Sequence, residues 1–98
     1  MFVDAACQAI REGRCLEVTY DGRTRMVEVH AVGYASTGNL VMRVWQVSGG
    51  SRSGARTNWR LMIVGKAWLA RLSDTRSQAP RSGYKRGDKD MERIICQV

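Results

Sequence analysis

The chain opens with apolar residues at helical spacing and then changes to strict alternation. Phe2, Val3, Ala6, Ala9 and Ile10 recur on a 3.6-residue period and Gly13 offers a stop, which predicts one short amphipathic helix over residues 2–12. From Cys15 onward the period is two. "CLEVTY" sets Leu16, Val18 and Tyr20 on one face, Asp21-Gly22 is a two-residue hairpin turn, and "RTRMVEVHAVGY" alternates again. These runs predict strands at about 15–20 and 23–34. Further β-like runs fall at about 40–47, 59–64, 67–72 and 91–98, and residues 73–90 read as irregular and polar. The pattern predicts a mainly β single domain over residues 1–98. One helix precedes a small, strongly bent sheet of five to six strands that closes into a barrel.

The hairpin also fixes which side chains share a face. With Asp21 and Gly22 as the loop, Tyr20 lies opposite Arg23, Val18 opposite Arg25 and Leu16 opposite Val27, and directly opposed residues project together. Arg25 therefore joins the Leu16/Val18/Tyr20 face. A guanidinium on an apolar face must reach water, a carboxylate or a ligand, because an unpaired buried charge is too costly. By the same parity His30 points the other way unless a bulge intervenes. Trp45, Trp59 and Trp68 sit within strands and read as core or barrel-rim packing.

Composition narrows the class. Ninety-eight residues with an apolar fraction of 44% suit one compact domain. The longest apolar stretches, about five or six residues, fall well short of the roughly 20 that cross a bilayer. Asp4 interrupts the apolar N-terminal segment, so neither a signal peptide nor a membrane partner is expected. Cys7, Cys15 and Cys96 are odd in number and lack metal or redox spacing, which predicts free buried thiols and a reducing, cytoplasmic setting.

Charge is lopsided. Residues 1–49 carry five Arg and five acids, whereas residues 50–98 carry eleven Lys/Arg and four acids, so the whole net charge of +7 lies in the second half. One surface that meets a polyanion or an anionic ligand would account for this. The loop "VSGGSRSGARTNWR" supplies donors suited to phosphate oxygens in Ser51, Arg52, Ser53 and Arg60, with Gln46 just before it. Gly49 and Gly54 have the separation found in a nucleotide-hydrolysing phosphate loop, but Ala55-Arg56 stand where Lys-Ser/Thr is required. The segment that follows reads as a strand, not a helix. A second basic segment, "RSGYKRGDK", sets Tyr84 among Lys85 and Arg86, either as a stacking surface or as packing over the barrel end.

Catalysis finds little support in these residues. One His in the chain leaves no spare base, and no nucleophile elbow or Cys motif occurs. No metal site or cofactor is expected either. Asp88, Asp90 and Glu92 lie among basic residues and read as surface charge balance.

The order "AIREGRCLEVTYDGRTRMVEVHAVGYASTGNLVMRVWQV", a polar loop, then "WRLMIVGKAWLARL" resembles the WYL domain of bacterial regulators over nearly the whole chain. That family's Y-x-G and following Arg are matched by Tyr20, Gly22 and Arg25. Its Pro-His step is matched by Val29-His30, and its later Arg-led apolar stretch by Arg60 onward. The naming triplet falls at "VMR", residues 41–43, so that motif is absent, as is the proline before His30. The family's winged helix-turn-helix would not fit in the chain. The resemblance implies a Sm-like β-barrel whose basic pocket senses nucleic acid or a nucleotide-type ligand, with stand-alone members near bacterial and phage defence.

The sequence thus leads to a non-enzymatic regulatory module that binds nucleic acid or a nucleotide-type anion through a basic barrel mouth. Its predicted ligand contacts are Tyr20, Arg25, His30, Gln46, Ser51, Arg52, Ser53, Arg60 and Tyr84. The alternative is a protein-interaction module or homodimer that regulates a partner protein.

Overall fold

The computed structural model describes residues 2–49 and 58–98. Helix α1 (Phe2–Glu12) leads into β1 (Arg14–Tyr20), β2 (Arg23–Tyr34), β3 (Leu40–Gly49), β4 (Asn58–Ile63), β5 (Ala67–Arg76) and β6 (Arg93–Gln97). A 3-10 turn, Val64–Lys66, separates β4 from β5. The protein is mainly β, with one N-terminal helix and antiparallel pairing throughout the described strands. β5 runs on to Arg76, so the irregular stretch starts later than residue 73.

The Asp21-Gly22 turn places both residues at positive φ, 55° and 74°, the conformation that a two-residue loop between right-twisted strands requires. It sets Tyr20 opposite Arg23, Val18 opposite Arg25 and Leu16 opposite Val27, as the turn chemistry implies. β2 is the spine of the sheet. One of its edges carries β3 along nearly its whole length, and the other is divided between β1 and β6.

The sheet does not close, which corrects the expected barrel. Its strand order is β4-β3-β2-β1-β5 with β6 on β2, and among the described residues β4 pairs only with β3 and β5 only with β1. The physical reason lies at Tyr20. Its hydroxyl accepts the Ile63 N–H at 3.3 Å, so a side chain occupies the place where a backbone ladder between the two ends would run.

Helix α1 covers the inner face. Ala6, Cys7 and Ala9 pack onto Leu16, Val18, Val27, Val29, Val32, Met42, Val44 and Met62, which form the main core. β2 keeps Val27, Val29 and Val32 on that one face only because its pairing with β3 shifts between Val29 and Ala31, leaving His30 as an extra residue. The outer face carries Glu28, Trp45 and Trp59, with a small second core of Ala31, Val41 and Met91.

Cys7 and Cys96 are not free thiols. They form a disulfide between α1 and β6, because Cys96 pairs with Val32 and so faces the helix. The argument for a reducing compartment loses two of its three cysteines. Cys15 remains free and buried, its Sγ donating to the Arg76 carbonyl at 3.6 Å, and burial pushes its pKa up. Among the described residues no helix is long and apolar enough to cross a membrane.

Candidate anion-binding site

The inner face ends in cations. Arg25 continues the Val27–Val29 row of β2, and Arg60 lies beside Val44 on the same face of β4. Gln46 stands opposite Val27, fully buried, and its Nε2 donates to the Gly49 carbonyl at 3.3 Å. Gly49 stands opposite Arg25. At φ 107° it adopts a backbone that L side chains avoid, and a Cβ there would run into Thr24 O and the Arg25 backbone. The close approach of β3 to Arg25 thus requires glycine.

Arg25 is only 4% exposed, yet among the described residues no carboxylate pairs with it and its Nε has no hydrogen-bond partner. Its guanidinium lies over the Tyr20 ring, 5.2 Å from the centroid. Burial, first, and the neighbouring Arg60 charge, second, hold its pKa below the usual arginine range, while Asp21 opposes both. A dry guanidinium beside a second one is an electrostatic arrangement that an anion would relieve.

Tyr20, Arg25, Gln46 and Arg60 are therefore gathered at one end of the inner face. Ser51, Arg52 and Ser53 lie outside the described residues. His30 and Tyr84 are elsewhere. They occupy the outer face, under the segment that runs from Ser77 to Glu92.

There the His30 ring is fully buried and both its nitrogens are used. The Arg81 N–H donates to Nε2 at 3.0 Å, which leaves the proton on Nδ1 to donate to the Glu28 carbonyl at 2.9 Å. Desolvation lowers its pKa despite the favourable nearby Glu28. The sign of the consequence is fixed: above about pH 6.5 the ring is neutral in both folded and unfolded chains, and below it the unfolded chain takes up a proton that the folded one resists. Stability should stay level above about pH 6.5 and fall on acidification, by at most about 1.4 kcal/mol per pH unit. Thermal melts from pH 7.5 to 5 would show this, and His30→Gln should flatten the profile. An equally steep decline in that variant would assign the effect to other groups.

Tyr84 packs against His30 and Trp59 at 5.0 and 6.3 Å between centroids, and its hydroxyl donates to the carbonyls of His30 and Val98. A groove of about 680 Å³ opens beside it, between Trp59 and the turn over residues 83–90. Its arginine is already neutralised: Arg43 donates to Asp88 at 2.7 Å and to Asp90 at 2.6 Å, and it holds the Asp88 carboxyl below the usual range. These acids tie the 77–92 segment to β3 instead of merely balancing surface charge.

Sequence reasoning also missed Glu28 and Trp68. Glu28, flanked by valines, alternates as a solvent-facing residue would, but the 77–92 segment covers it and supplies Arg81 at 2.6 Å. Trp68 reads as packing and is instead 81% exposed. Among the described residues no group of three or more His, Cys, Asp or Glu is arranged to hold a metal. Compared with family models, curated proteins and solved structures, the chain shows no significant match to any of them.

Proposed function

We propose that this chain is a non-enzymatic module that binds a phosphate-bearing anion, of the nucleotide or nucleic-acid kind, at the Arg25/Arg60 end of its inner face. The observation that carries the reading is Arg25, buried and without a carboxylate, beside a second guanidinium. Arginine forks suit phosphate oxygens, and water exclusion strengthens each bond. The excess positive charge of residues 50–98 would draw the anion in. This is also the kind of pocket that the WYL-like pattern of Tyr20, Gly22 and Arg25 implies, in a Sm-like fold whose barrel would be left open.

Titration calorimetry with inorganic pyrophosphate tests it. Arg25→Met should weaken binding about tenfold to a hundredfold, the cost of losing charge-assisted hydrogen bonds. The same change should leave the anion-free protein as stable or more so, since an unpaired buried charge is exchanged for an apolar side chain of similar length. Equal affinity in wild type and variant would refute the reading.

A second reading, a homo-oligomeric or protein-binding module in place of a ligand sensor, is favoured by the open sheet. β4 and β5 each pair on one side only among the described residues, and such edges invite a strand from another chain. A concentration-dependent mass by light scattering, with no response to pyrophosphate, would favour it.

A further inference from the structure

We infer that the ligand carries a planar base as well as a phosphate, and that Trp68 is the platform on which that base stacks. The inference rests on the anion site proposed above and names the other half of its ligand.

Three observations converge on Trp68. The first is its exposure, 81%, for one of the largest apolar side chains. The second is its backbone: Tyr20 pairs with Ala67 and Thr19 with Leu69, so Trp68 is the extra residue of a bulge and has no partner in β1. A bulge re-aims a side chain, and here it turns the indole out of the alternation that Ala70 and Leu72 follow toward the core. The third is what lies beside it. Trp68 borders a cleft of about 570 Å³ with Tyr20, Asp21, Lys66 and two glycines, a size that fits a small-molecule ligand. A Cβ built on Gly22 or Gly65 meets no atom within 4 Å, so the glycines leave the cleft open.

The cleft and the arginine pair share a wall. Tyr20 lines the cleft, and its ring carries the Arg25 guanidinium 5.2 Å from its centroid. A ligand with a base on the indole and a phosphate directed past Tyr20 toward Arg25 would use both, with Lys66 as a further cation at the cleft. An aromatic face accepts any base through its π-system, whereas inorganic phosphate cannot use it. The Asp21 carboxylate at the rim disfavours a bare polyanion there and offers an acceptor to ligand N–H or O–H groups.

The test compares AMP with inorganic pyrophosphate by titration calorimetry on wild type, Trp68→Ala and Trp68→Phe. Trp68 is exposed, so its removal leaves the fold intact. Trp68→Ala should weaken AMP about fivefold to a hundredfold, leave pyrophosphate unchanged, and be largely rescued by Trp68→Phe. A single-stranded oligothymidylate in the same series separates two sources of this chemistry. Tighter binding than AMP with a steep salt slope marks a strand, and a flat slope with AMP preferred marks a free nucleotide. Pyrophosphate binding that depends on Arg25, with AMP indifferent to Trp68→Ala, would overturn this inference alone. No binding of any probe would overturn both it and the anion site.

Discussion

Arg81→Ala should lower the unfolding midpoint by more than about 12 °C, although the residue lies in an irregular segment. Glu28 is 1% exposed and depends on that segment for its bonds: Arg81 Nε at 2.6 Å, Arg81 Nη2 at 3.2 Å and the Gln78 N–H at 2.7 Å. Without the guanidinium, a carboxylate stays buried with a single backbone donor. Breaking a buried ion pair from one side costs about 3 to 5 kcal/mol, and each kcal/mol moves the midpoint of a domain of this size by about 4 to 8 °C. Glu28→Gln in the same background removes the stranded charge, so the double variant should recover part of the loss. Thermal melts of the two single variants and the double variant give the coupling directly. A midpoint for Arg81→Ala within a few degrees of wild type would show that the segment contributes little to the fold.

Reduction of the Cys7–Cys96 bond should cost about as much. The two residues are 89 apart in sequence, and chain-entropy arguments assign a loop of this length about 4 to 5 kcal/mol. β6 is five residues long and pairs only with the far part of β2, so the bond holds a short edge strand as well as the helix. Denaturant titrations with and without reductant measure the difference, with the Cys7→Ser/Cys96→Ser variant as the control that no longer responds. An unchanged midpoint on reduction would contradict it. Tyr20, Arg25, Gln46 and Arg60 lie on β1 to β4, so pyrophosphate affinity should persist in whatever fraction stays folded.

Much of the local structure could be read from the chain because it is locally determined. Helix α1 follows from its apolar spacing and Gly13, and the β1–β2 register from Asp21-Gly22. Arg25 could be placed on the apolar face for the same reason, since a two-residue turn leaves no freedom in which residues oppose each other. What could not be read depends on contacts distant in sequence. The disulfide needs Cys96 to be carried against α1 by β6, and the environment of Glu28 needs a segment fifty residues later to cross the outer face. Trp68 was obscured differently: alternation assumes regular pairing, and the bulge that exposes it has no signature in "KAWLARL". The open sheet follows from where Tyr20 Oη sits, which strand counting cannot show.

The extra residue in β2 makes a change of length at this point different in kind from a change of side chain. Replacing His30 removes two hydrogen bonds and leaves every neighbour on its own side of the sheet. Deleting it would restore regular pairing and invert the phase of everything after it, turning Val32 away from Met42 and the helix and bringing Ala31 and Gly33 inward. The long strand is thus two half-strands of opposite phase joined at one residue. Homologous positions on either side of that joint would have to be counted separately.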